Sequence, residues 1–133
     1  MLIPVLLGIF LILHGLVHLL YAGHSWWLFE LQAGLRWPDD SWLFARLPGD
    51  HPARWLASIS LALAALGFVV CGLGLFLQQD WWRLAAAGSA VLSIVIFLLF
   101  WDGRFKALDG QGGIGVLVNL AILAVVVFLK KPI

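Results

Sequence analysis

Four long apolar runs, at 2–21, 55–77, 82–100 and 113–129, contain no Lys, Arg, Asp or Glu except Arg83, at the start of the third. A helix of about 20 such residues, rising about 1.5 Å per residue, crosses a hydrocarbon core of about 30 Å. Composition points the same way: 63% of the 133 residues are hydrophobic and 11% are charged, against about 25% charged in soluble domains. Too few polar side chains exist to cover a globule, so lipid is the expected solvent. The expected fold is all-α: an integral-membrane, up-down four-helix bundle forming a single domain over 1–133.

Tryptophan favours the membrane–water boundary, and none of the eight falls in the middle of a run. The first run lacks the basic start and A-x-A site of a signal peptide and is expected to stay as a mature helix. A net charge of +1 offers nothing to nucleic acid. The lone Cys71 rules out an internal disulfide and a multi-cysteine metal site.

Residues 22–54 form the one sizeable connection and read as a lid, a re-entrant or interfacial helical loop. SWWLFELQAGL is apolar on most sides, as a helix lying in the interface would be. PDDSWLFARLPG reads as a short helix capped by Asp39, Asp40 or Ser41 and stopped by Pro48-Gly49. Asp50 is the expected cap of the second span, with Pro52 in its first turn. Helices in lipid associate through small residues, and Ser60, Ala64, Gly67, Cys71 and Gly74 form a stripe on the second span.

Side A denotes the face holding both termini, and side B the face holding the lid. Side B carries Arg36, Arg46, Arg54, Arg104 and Lys106; side A carries Arg83, Lys130 and Lys131. The Lys and Arg count favours side B as cytoplasmic. The bare Lys130-Lys131 end and the Trp-rich lid oppose it, and the expectation adopted is that both termini are cytoplasmic.

Within the spans the strongly polar groups lie near side B. His14 and His18 are seven and three residues from that end of the first span, Asn119 six from that end of the fourth, and Ser93 seven inside the third. All lie within roughly 11 Å of the boundary. His14, His18, Tyr21 and Ser25 share a face. They read as one wall of a polar pocket, with Asn119, Ser58, Ser60 and Ser93 opposite. Glu30, Asp50, Arg54, Asp102 and Arg104 stand at its mouth, where Arg54, Asp102 and Arg104 could pair with one another.

Several chemistries could use such a pocket. Bis-histidine haem needs ligands on opposite porphyrin faces, and His14 and His18 lie side by side, so only a single proximal ligand or a haem shared across a dimer would serve. Two histidines one turn apart can start a transition-metal site, with His24 and His51 as further ligands. Gly15 stands where a zincin has its glutamate, so a metalloprotease is excluded. A quinone, isoprenoid or sterol-like lipid matches the division into a polar and an apolar half, and the histidines could act as acid and base on it. The polar groups could equally be helix glue.

HGLVHLLY, the Trp-rich loop, WWR and IGVLVNLAIL together resemble a family of small bacterial four-span membrane proteins grouped loosely with DoxX-like proteins. The early arginine usual in DoxX itself is absent. The resemblance implies a bacterial inner-membrane location and the four-span fold, and carries no activity or cofactor. The expected function is binding of an amphipathic or redox-active membrane lipid by His14, His18, Tyr21, Ser60, Ser93 and Asn119. The alternative is a non-catalytic subunit of a homo-oligomer or larger membrane complex, and the third reading is a metal-dependent membrane enzyme.

Overall fold

The computed structural model describes residues 1–129. They form four α-helices and one 3-10 turn: α1 (Leu2–Ser25), α2 (Pro52–Phe76), α3 (Trp82–Phe100), the turn Asp109–Gln111, and α4 (Gly113–Phe128). With no water to pair with, backbone in lipid satisfies its own polar groups, and a helix does so internally. Three helices, α1 to α3, are long and apolar enough to cross a membrane. α4 is also apolar but has 16 residues, or about 24 Å of rise. Lys130 and Lys131, which entered the orientation argument, lie outside the described residues.

α1 runs four residues further than the expected span, to Ser25, which places His24 in its last turn. It stops where Trp27 turns to φ 58°. The two helices expected in the lid do not form. Turns occupy 26–51 instead, broken by positive φ at Gly34 and Gly49. This segment spends its polar groups on the end of α3. Ser41 Oγ donates to the Leu99 carbonyl at 2.6 Å, and the Trp42 backbone N–H donates to the Trp101 carbonyl at 2.8 Å. Ser41 still caps a single turn, because its Oγ accepts the Phe44 N–H at 3.1 Å. Asp50 does not cap α2: His51, in the left-handed region at φ 55°, precedes it without a side-chain bond, and Pro52 occupies the first turn.

Small residues let the backbones approach, though along more lines than the single stripe expected on α2. Ala64 and Cys71 are fully buried, and Gly67 faces Ser89 of α3. The α1–α2 contact uses other glycines. A Cβ on Gly72 would lie 2.7 Å from the Gly8 carbonyl oxygen, and one on Gly15 would lie 3.0 Å from the Ala65 carbonyl oxygen. Those obstacles are backbone and cannot rotate aside. Gly72→Ala is therefore expected to cost about 1–3 kcal/mol through overpacking. Gly88→Ala, with nothing within 4 Å, should be neutral or slightly stabilising because alanine favours helix. Unfolding titrations in mixed detergent micelles would check both, and equal effects would contradict the assignment.

The core has two parts. Leu11, Phe68, Cys71, Leu75, Trp82, Ala86, Ala90 and Ile122 pack towards side A. Trp37, Ala53, Ala57, Leu61, Ala64, Ile96, Phe97 and Phe100 pack under the lid. α4 buries only Asn119 and Ile122, with Val116, Val118, Leu123 and Val126 half-buried against the core.

Candidate functional site

His14 and His18 lie one turn apart on α1, facing Ser93 of α3 and Asn119 of α4. His18 Nδ1 donates to the His14 carbonyl at 2.9 Å. That fixes its tautomer, leaving Nε2 to accept the Ser93 hydroxyl proton at 2.6 Å. Ser93 Oγ in turn accepts Asn119 Nδ2–H at 2.7 Å. Asn119 Oδ1 accepts His14 Nε2–H at 2.9 Å. The four side chains and one carbonyl thus close a ring in which every contact has one donor and one acceptor. No charge is needed, which suits a site where Ser93 and Asn119 are 0% exposed and His18 is 2%. Phe68 seals the ring edge-on, 4.8 Å from His14 between centroids. His14 Nδ1 is the ring nitrogen of the pair that keeps no hydrogen-bond partner among the described residues.

Beside the ring, on the side-A half, a cavity of about 240 Å³ lies between α1, α3 and α4. Leu7, Phe10 and Leu11 line it from α1 and Val118, Ala121 and Ile122 from α4, with Ala86 contributing from α3. Phe10 also stacks on His14, with 6.0 Å between centroids and 9° between planes. Residues flanking Asn119 and His14 thus form the end of an apolar groove.

The remaining expected residues have other positions. Tyr21 is outside the ring: its hydroxyl donates to the Asp109 carbonyl at 3.3 Å, and its ring meets Trp37 and Phe97. Ser60 does not face the pocket, because its Oγ donates back to the Leu56 carbonyl of its own helix at 2.6 Å. Ser58 does the same to the Arg54 carbonyl at 2.8 Å. Ser25 is fully buried, and its Oγ has no partner among the described residues.

The four histidines considered as metal ligands do not converge. Both ring nitrogens of His24 are committed, Nε2 donating to the Trp37 carbonyl at 2.8 Å and Nδ1 accepting the Leu31 N–H at 3.3 Å. His51 lies at the surface, 3.9 Å from Asp39. Among the described residues no three His, Cys, Asp or Glu side chains group as metal ligands would.

Arg54 is the largest departure from expectation at the pocket mouth. It pairs with Asp39, not with Asp102 or Arg104. Its Nε lies 2.9 Å and 3.0 Å from the two Asp39 oxygens. Its Nη1 donates to the carbonyls of His24 at 2.9 Å and Ser25 at 3.3 Å. Those carbonyls end α1, where the helix dipole is negative and favours a cation. The guanidinium also sits over Trp27, 4.7 Å from the ring centroid. Asp102 instead accepts the Arg104 backbone N–H at 2.8 Å, while Glu30 and Asp50 are exposed.

Sequence reasoning passed over Asp39 as a partner, Trp37 and Gln111. Trp37 is 3% exposed, at the centre of the aromatic packing under the lid. Gln111 Oε1 accepts the Asp102 N–H at 3.0 Å. The signal available for the first was Arg54 itself, a charge in the opening turn of an apolar helix, which lipid tolerates only when it is paired. No protein-family model, curated protein or solved structure matches this chain.

Proposed function

We propose that the chain is a multi-pass protein of a bacterial inner membrane, an up-down bundle in which α4 crosses with α1 to α3 and both termini are cytoplasmic. In this reading it binds a small amphipathic lipid in the groove between α1, α3 and α4. The observation that carries it is the adjacency of an apolar groove of about 240 Å³ to a buried polar ring, linked through Phe10, which lines the groove and stacks on His14. The groove would take a hydrocarbon tail. His14 Nδ1, an acceptor not used by the ring, would take a hydroxyl or quinol-type proton at the ligand's polar end. The resemblance to small DoxX-like four-span proteins is compatible with this location and supplies no ligand.

Filling the groove tests the reading without touching the ring. Ala121→Phe is expected to remove a lipid that co-purifies stoichiometrically with the wild type, read by native mass spectrometry from mild detergent. Unchanged retention of that lipid would sink the groove as its site. The self-sufficiency of the ring favours a second reading, in which these groups only hold helices in register and the chain serves as a non-catalytic subunit. A wild type free of bound lipid, together with co-isolation of a stoichiometric partner chain, would support that alternative.

A further inference from the structure

On side B a second cavity, of about 270 Å³, lies between the lid and the α3–α4 connection. Arg36, Arg104 and Lys106 all line it, together with Asp40 and Asp102. We propose that this cavity is a binding site for a phosphate group, taken as the headgroup of a membrane phospholipid.

Charge is the first support. Asp40 is already paired with Arg36 at 3.3 Å, and one Asp102 oxygen accepts the Arg104 backbone N–H. The Arg104 and Lys106 side chains have no ion pair or hydrogen bond among the described residues. With Asp40 offset by Arg36 and Asp102 keeping its charge, the lining retains a net positive charge, and Arg104 and Lys106 offer the donors a phosphate takes, Arg through its forked N–H groups and Lys as a point charge. Trp37 lines the cavity, and its buried Nε1 has no acceptor among the described residues.

The second support is that the walls are tied together before any ligand arrives. The lid is bonded to the end of α3 through Ser41 and Trp42. The opposite wall is braced by Gln111, which joins the Asp102 N–H to the carbonyls of Lys106 and Ala107. Little ordering is left to oppose binding.

The third support concerns the source of the phosphate. Phe105, between the two free cations, is 82% exposed, and Trp42, bonded to the same wall, is 60% exposed. Aromatic rings beside basic residues sit well at the headgroup level of a bilayer. A soluble phosphate would have no use for them. This inference stands apart from the groove under the ring, which is on the other half of the molecule and takes a tail.

The test uses the full chain in mild detergent and native mass spectrometry. The probes are dioleoylphosphatidylglycerol and dioleoylglycerol, which share chains and differ in the phosphate. With the other groove filled by Ala121→Phe in every preparation, one phosphatidylglycerol per chain is expected to survive desolvation, and dioleoylglycerol is not. Arg104→Gln and Lys106→Gln should each weaken retention by about tenfold. Arg46→Gln, which removes the same charge outside the cavity, should leave it unchanged. Neither Arg104 nor Lys106 uses its side chain in the fold, so both variants should unfold with the wild type, which the same preparations would show. Glycerol phosphate added as competitor separates the sources: displacement at millimolar concentration would assign a soluble phosphate ester, and persistence of the lipid would assign the membrane. Equal retention of dioleoylglycerol, or retention indifferent to both cavity variants, would overturn the site.

Discussion

Replacing Arg54 by methionine is expected to destabilise the chain by about 2–4 kcal/mol, because the loss orphans several groups at once. The Arg54 side chain is 6% exposed and that of its partner Asp39 is 29% exposed. Methionine keeps much of the stem's packing, so the cost would come from the head. A partly buried carboxylate loses its cation, and the His24 and Ser25 carbonyls lose a donor at the end of α1. The residual exposure of Asp39 lets water relieve part of that penalty, which is why the lower half of the range is favoured. The companion variant decides the cause. Arg54→Met with Asp39→Leu removes both charges, and a buried pair replaced by apolar residues is often near neutral. Recovery of at least half the loss in the double variant, by thermal unfolding in detergent, is the expected result. If the double variant is as unstable as the sum of the two single ones, the ion pair is not the source. Limited proteolysis should also show the lid, residues 26–51, cut faster in Arg54→Met, since Arg54 ties that segment to α1.

Asn119→Leu is expected to cost about 2–3 kcal/mol and to loosen α4 ahead of the other helices. Leucine keeps the branched outline of asparagine but is bulkier, so at this fully buried position some overpacking adds to the cost. The ring is also cut at two places. His14 Nε2–H loses its acceptor and Ser93 Oγ loses a donor, both in a buried setting where an unpaired polar group costs about 1–3 kcal/mol. Hydrogen bonds between membrane helices usually contribute about 0.6–2 kcal/mol each, which leads to a similar figure for two. The effect on α4 follows from its lighter packing, since Ile122 is its only other buried residue and Val116, Val118, Leu123 and Val126 are only half-buried. Engineered cysteines on α1 and α4 would report this. Their crosslinking across the groove should fall in Asn119→Leu and stay at wild-type level in Ser60→Ala, whose hydroxyl bonds only within α2. Ser93→Ala should be intermediate or worse, as it strips two partners from the ring, His18 and Asn119. Equal crosslinking in Asn119→Leu and wild type would show that α4 is held by something other than the ring.

Some of this arrangement was readable beforehand. Spacing alone put His14 and His18 on one face of a helix, and depth alone put Ser93 and Asn119 at a matching level. Those four meet. Ser60 was at a suitable depth too, but depth does not give rotation about a helix axis, and its hydroxyl found a carbonyl one turn back. The lid was misread for a related reason. SWWLFELQAGL and PDDSWLFARLPG carry local helix signals, yet the chain there gains more by bonding to the exposed end of α3 and seating Trp37 among Tyr21, Phe97 and Phe100. Propensity is a weak preference that tertiary contact overrides.

What the sequence determined by itself is the set of apolar helices and the segments that join them. Hydropathy acts residue by residue over a continuous stretch, so a run without charges is informative wherever it packs. Pairing was decided only in three dimensions. His14 and Asn119 are separated by 105 positions, and Arg54 chose Asp39, 15 positions away, over Asp102. Most buried polar groups find a partner, but the tendency names no partner. Helix rotation, the close approach at Gly8, Gly15 and Gly72, and the path of the lid selected one from several that composition and spacing allowed.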